Sequence, residues 1–80
     1  DIRSLYLVGS FARDDHTSNS DIDFRVTFNN TGRALDQYFD ALEELQKTAG
    51  RQVDLIEESA IKSERFRQSI IADRILLYGA

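Results

Sequence analysis

The sequence predicts an α/β (α+β) fold: a small mixed β-sheet with helices packed on one face. Three observations predict it. Asp21 to Phe28 alternate polar and apolar without a slip, which is the period-two signature of a half-buried strand. Between Arg33 and Ala49 the residues Leu35, Tyr38, Phe39, Leu42 and Leu45 recur at helical spacing. The glycines at 9, 32, 50 and 79 fall near boundaries between apolar-patterned segments, and proline is absent. Strand and helix patterns thus interleave along one chain, as they do when both pack around one sheet.

The elements follow in order. Leu5-Tyr6-Leu7-Val8 is a short apolar run ending at Gly9-Ser10, and reads as a buried strand. Arg13 to Ser20 is polar and turn-rich, hence a loop. The alternating strand 21–28 comes next, and Asn29-Asn30-Thr31-Gly32 forms a turn. A helix runs over 33–49 with Asp36, Asp40, Glu43, Glu44 and Lys47 facing water, and Gly50 stops it. Gln52-Val53-Asp54-Leu55-Ile56 is a third strand. Ser59 or Ser63 caps a second helix that turns Phe66, Ile70 and Ile71 inward. Arg74 to Tyr78 is apolar enough for a last strand or a helix tail.

The 80 residues support one domain, 1–80, and 41% hydrophobic residues supply one modest core. At this size folding buries only about 60% of the unfolded chain's surface. Ten Lys and Arg stand against 14 Asp and Glu, a net charge of −4. That balance argues against direct nucleic-acid binding through phosphate neutralisation. It does not exclude a nucleotide held through metal ions. Cysteine is absent and His16 is the single histidine, so disulfides, thiolate zinc sites and a Cys–His dyad are excluded. No apolar run approaches a membrane span and no signal peptide opens the chain, so a cytoplasmic protein with no membrane partner is expected. The small core and exposed faces suit an oligomer or hetero-complex.

Four features carry chemistry. Gly9-Ser10 closes a strand, where glycine admits backbone N–H groups to a phosphate and the serine hydroxyl adds a donor. The same pair also serves as an ordinary turn. Asp21 and Asp23 stand at i and i+2 on one strand face, an arrangement that suits Mg²⁺ or simply a wet face. Asp54, flanked by Val53 and Leu55, would make a third carboxylate if its strand lies beside that of Asp23. Arg13 meets either a triphosphate or a neighbouring acid, Asp14 or Asp15. His16 reads as a solvated loop residue. Glu57 and Glu58 read as acids supporting the second helix through its dipole, and Tyr38 and Phe39 as core.

Together these residues form one pattern. Gly9-Ser10, ten intervening residues, then Asp21-Ile22-Asp23 resembles the signature of the DNA polymerase β-like nucleotidyltransferase superfamily. More closely, the chain resembles the minimal nucleotidyltransferases (MNT proteins) of prokaryotes. Ala12-Arg13, Ser20, the Val53-Asp54-Leu55-Ile56 strand and the closing Arg74 to Tyr78 segment extend the likeness over nearly the whole chain. Two points depart from it. Asp14 stands where a glycine often follows the arginine, and the helix usual before the first strand is not in this sequence.

The resemblance implies the polymerase β-like fold and a mechanism. Asp21, Asp23 and Asp54 would be catalytic and would bind two Mg²⁺ ions. Gly9, Ser10 and Arg13 would bind the nucleotide, with ATP as substrate. AMP would pass to a hydroxyl, by likeness to MNT antitoxins a tyrosine of a cognate HEPN RNase toxin. The alternatives are transfer to a small molecule such as an aminoglycoside, and an antitoxin that acts by binding alone.

Overall fold

A computed structural model describes residues 2–29, 32–58, 61 and 63–79. Its elements are β1 (Ile2–Val8), α1 (Gly9–Arg13), β2 (Ile22–Phe28), α2 (Ala34–Ala49), β3 (Val53–Glu57), α3 (Glu64–Asp73) and β4 (Ile75–Gly79). The four strands form one sheet in the order β3-β2-β1-β4. β1 is antiparallel to both β2 and β4, and β2 is parallel to β3. The parallel pair needs a crossover, and α2 supplies it.

Alternation along the strands assigns the two faces. Phe24 and Val26 of β2 pack with Val53 and Leu55 of β3 on one face, beneath Tyr38, Ala41, Leu42 and Leu45 of α2. Val26 is wholly buried, and a side chain of that size contributes about 1.5–3 kcal/mol by leaving water. The Tyr38 hydroxyl donates to the Leu55 carbonyl over 2.7 Å and pins α2 to β3. The opposite face carries a smaller cluster in which Val8 and Ile61 pack with Tyr6 and Ile56. The one-face layering therefore describes α2; Ile61, to whose carbonyl Arg67 of α3 donates, belongs to the other face.

The helix over 33–49 ends as the sequence predicts. Gly50 sits at φ +68 and its N–H bonds the Gln46 carbonyl. Two of its five apolar residues are corrected. Leu35 is 70% exposed and Phe39 57% exposed, and neither joins the core that Tyr38, Ala41, Leu42 and Leu45 cover. Phe39 keeps only an edge-on contact with Tyr38.

Further differences lie at the ends of elements. A short helix, α1, begins at Gly9, where the sequence indicated a turn running into a loop. Residues 75–79 form a strand and not a helix tail. Ile71 is exposed, not inward. The side chains of Phe66 and Ile70, the cap candidate Ser59, and Asn30 and Thr31 of the turn lie outside the described residues. Ser63 precedes α3, and its carbonyl accepts the Arg67 N–H.

Candidate active site

The predicted residues meet at one end of the sheet. β1 runs out at Val8, which pairs with Asp23 of β2. The next residue, Gly9, takes φ +73, a conformation that glycine adopts without steric cost. A Cβ built on Gly9 would fall on Oδ2 of Asp23 and lie 3.1 Å from its Cγ. The turn can close against this carboxylate only because Gly9 has no side chain. Ser10 follows as the second residue of α1.

On the other side of β2, Asp54 is in register with Asp23. Neighbouring strands run about 4.8 Å apart, so two carboxylates share one stretch of the sheet. Asp21 stands just before β2, exposed, and Asp54 is exposed as well. Burial raises the Asp23 carboxyl above its ordinary pKa, and the charges of Asp54 and then Asp21 add to the rise. Arg13 opposes it. Like charges held in register repel, and a cation between them removes the repulsion.

The donor set fits a hard divalent cation, since every group is a carboxylate. Asp23 and Asp54 are the pair that the sheet brings together. Among the described residues no three His, Cys, Asp or Glu side chains close around a single metal position. Asp21 is near enough for its charge to raise the Asp23 carboxyl.

Arg13 lies at the end of α1 and makes two ion pairs, to Asp15 at 3.2 Å and to Asp73 of α3 at 3.9 Å. The acid it meets is thus Asp15 in its own loop and also a residue 60 positions later, a contact that sequence proximity does not suggest. Asp14 caps α1 in the left-handed region at φ 61, ψ 34. The position therefore has the backbone that glycine favours.

Three features were not evident from sequence patterning. His16 is exposed, but its ring stacks on Phe11 with centroids 4.0 Å apart. Arg51 lies over the Phe11 ring at 5.1 Å and donates from Nη1 to the Ser20 carbonyl over 3.3 Å. Arg25, two residues past Asp23, is 2% exposed and pairs with Glu58 at 3.2 Å. Glu58 also accepts from the Thr27 hydroxyl, so it serves the sheet and not the dipole of the second helix. An arginine on the polar phase of an alternating strand reads as solvated; only the burial of its face shows otherwise.

A mixed four-stranded sheet with a glycine turn closed on a strand-borne aspartate, and a second aspartate in register beside it, defines a nucleotidyltransferase-type domain. The match is explicit: residues 1–80 fit the family described as Polymerase beta, Nucleotidyltransferase, and the chain belongs to that family. Two Methanocaldococcus jannaschii proteins, each named as a candidate protein adenylyltransferase, are similar to it. One is 37% identical over 75 residues, covering 92% of this chain and 75% of the relative; the other is 36% identical over 74 residues, covering 92% and 74%. Among solved structures, a toxin–antitoxin complex with AMP-PNP superposes with a TM-score of 0.76 at 24% identity, covering 99% of this chain. A complex of a tri-AMPylated Shewanella oneidensis HEPN toxin with an MNT antitoxin superposes with a TM-score of 0.66 at 22% identity, again over 99% of this chain. This chain spans 62% and 58% of those two solved chains. No helix among the described residues is long and apolar enough to cross a membrane.

Proposed function

We propose that the protein is a Mg²⁺-dependent nucleotidyltransferase that moves AMP from ATP to a protein hydroxyl, a tyrosine of a HEPN-type toxin, and so acts as an antitoxin. The observation that carries this reading is the register of Asp23 with Asp54 beside the Gly9 turn. Asp21, Asp23 and Asp54 would hold two cations, which would supply the positive charge that an acidic chain lacks. Gly9 leaves room for backbone N–H groups to reach the β- and γ-phosphates, and the Ser10 hydroxyl donates one more bond. Asp54, exposed at the strand surface, takes the proton of the incoming hydroxyl. The hydroxyl oxygen bonds to the α-phosphorus, the bond from that phosphorus to the bridging oxygen breaks, and pyrophosphate leaves. Arg13 would help to stabilise the charge that develops on the leaving pyrophosphate. The work is positioning and charge stabilisation. The names of the relatives, candidate protein adenylyltransferases, favour a protein acceptor over an aminoglycoside.

The test is incubation of the full chain and its Asp23→Asn variant with Mg²⁺, ATP labelled on the α-phosphate, and host lysate or a purified HEPN-type toxin. A protein band labelled only by the wild type supports the reading. A fully neutralised toxin with no label supports antitoxin action by binding alone. A labelled small molecule in place of a protein supports the aminoglycoside-type alternative.

A further inference from the structure

Three segments carry the proposed machinery: the β1–α1 turn with Gly9 and Ser10, the approach to β2 with Asp21, and β3 with Asp54. They meet at Arg51. Its Nη1 donates to the Ser20 carbonyl over 3.3 Å, and its guanidinium lies 5.1 Å from the Phe11 ring centroid. Phe11 in turn stacks on His16 at 4.0 Å with planes 9° apart. Beside Arg51, the Gln52 carbonyl accepts the Ile22 N–H over 3.1 Å. Asp21 therefore lies between two residues, Ser20 and Ile22, that are both tied to the segment 51–52. That segment leads directly into the strand of Asp54.

Apart from the Arg13–Asp73 ion pair at 3.9 Å, which ties its start to α3, the loop has little else to order it. Residues 13–19 are all exposed, so no apolar burial fixes them. Their internal bonds are local: Thr17 N–H to Ser20 Oγ over 2.9 Å, Ser20 N–H to the Thr17 carbonyl over 3.1 Å, and Asp15 N–H back to the Ser10 carbonyl over 3.0 Å. These shape the turns but do not fix the loop against β3. Arg51 does so, and it forms no ion pair among the described residues that would draw it elsewhere. A guanidinium is planar and can stack on a ring while its edge donates a hydrogen bond. An ammonium has no such plane.

We infer that Arg51 is a positioning residue: it holds Asp21 at the cation site by clamping the α1–β2 loop, through Ser20 and the Phe11–His16 stack, onto the start of β3. The inference rests on the reading that Asp21 serves a metal. Positioning partners of metal ligands typically change affinity by about 10–100-fold when removed. Because the clamp lies at the surface, its removal changes global stability little.

The test uses the full chain with Mn²⁺ as probe, measured by paramagnetic resonance, alongside amide exchange and melting. Arg51→Ala should weaken Mn²⁺ binding about tenfold. It should speed exchange at Ser20 and Ile22, and leave the melting temperature nearly unchanged. Arg51→Lys should restore only part of the binding. Asp21→Asn is the control. If wild type and Asp21→Asn bind Mn²⁺ alike, the metal reading of Asp21 falls and the clamp's role falls with it. If Asp21→Asn weakens binding but Arg51→Ala does not, the metal reading stands and the inference is overturned. Unchanged exchange at Ser20 and Ile22 in Arg51→Ala also overturns it.

Discussion

The backbone of Gly9 lies against the carboxylate of Asp23 with no room for a side chain between them. The contact joins the turn proposed to face the phosphates to the aspartate proposed to face the metal. Gly9→Ala introduces two faults: a methyl group on Oδ2, and a side chain at φ +73. The backbone term costs about 1–2 kcal/mol of stability. Displacing Asp23 costs more in function, about 100-fold or greater in the transfer rate. Equal losses in melting and turnover would show that Gly9 is only structural.

Asp23 makes the metal-free fold sensitive to pH. Its folded pKa is raised, by burial first, then by Asp54 and Asp21. The folded state therefore holds the proton more tightly than the unfolded chain, and this group favours folding at low pH. Its contribution is lost as pH rises through the folded value, so ionised Asp23 is a net cost at neutral pH. Asp23→Asn should raise the metal-free melting temperature at pH 7, and the gain should vanish near pH 4. Saturating Mg²⁺ with ATP should raise the wild-type melting temperature and leave the variant's unchanged. A melting temperature unaffected by Asp23→Asn at both pH values would contradict the repulsion.

Much of this was legible because the signals were local. Alternation over Asp21 to Phe28 gave β2, and the spacing from Gly9-Ser10 to Asp21 and Asp23 identified the candidate site. The pairing of Asp54 with Asp23 is a product of strand order, which a single sequence does not encode at any fixed spacing; it was inferred from resemblance. Leu35 and Phe39 obey the helical period yet lie in solvent, since periodicity marks an apolar side but not which of its residues find a partner. Arg25 and Glu58 misled for a related reason: the polar phase of β2 is covered where Tyr6 and Ile61 lie over it. The stack of Arg51, Phe11 and His16 spans 41 residues and left no pattern to read.

Asp14 offers a direct probe of the loop backbone. It sits at φ 61 as the cap of α1. Aspartate tolerates the left-handed region better than most residues, but glycine enters it freely. Asp14→Gly should raise stability by up to about 1 kcal/mol, and Asp14→Val should lower it by about 1–2 kcal/mol. Urea denaturation of the two variants measures both. If valine is tolerated as well as glycine, the residue does not occupy that conformation in solution.

Tyr38 connects α2 to the strand that carries Asp54. Its hydroxyl donates to the Leu55 carbonyl over 2.7 Å, one residue beyond Asp54. Tyr38→Phe removes that bond while keeping the ring in the core, at a cost of about 1 kcal/mol. In a domain of this size the melting temperature should fall by roughly 4–8 °C. The Asp54 register is set by the β2–β3 ladder, so transfer activity below the melting range should change little.

The last prediction concerns the charge buried behind the site. Arg25 is almost fully covered; Nη2 meets Glu58 at 3.2 Å, while Nε and Nη1 are buried with no hydrogen-bond partner. The Tyr6 ring lies 5.0 Å away and is shared with Arg74 at 4.4 Å. Glu58 is thus the carboxylate that compensates the buried guanidinium, and it also accepts from Thr27 over 2.8 Å. Glu58→Gln keeps the shape and the Thr27 bond but removes the charge, and should cost about 3 kcal/mol. Arg25→Met removes the buried charge together with its two orphaned donors and leaves Glu58, which is partly exposed, to be solvated, so it should cost less than Glu58→Gln. Combining the two should therefore restore most of the stability lost by Glu58→Gln alone, a coupling that a double-mutant cycle in urea reads directly. Strictly additive losses would mean that Arg25 is stabilised by the Tyr6 ring and the sheet around it, with Glu58 a bystander.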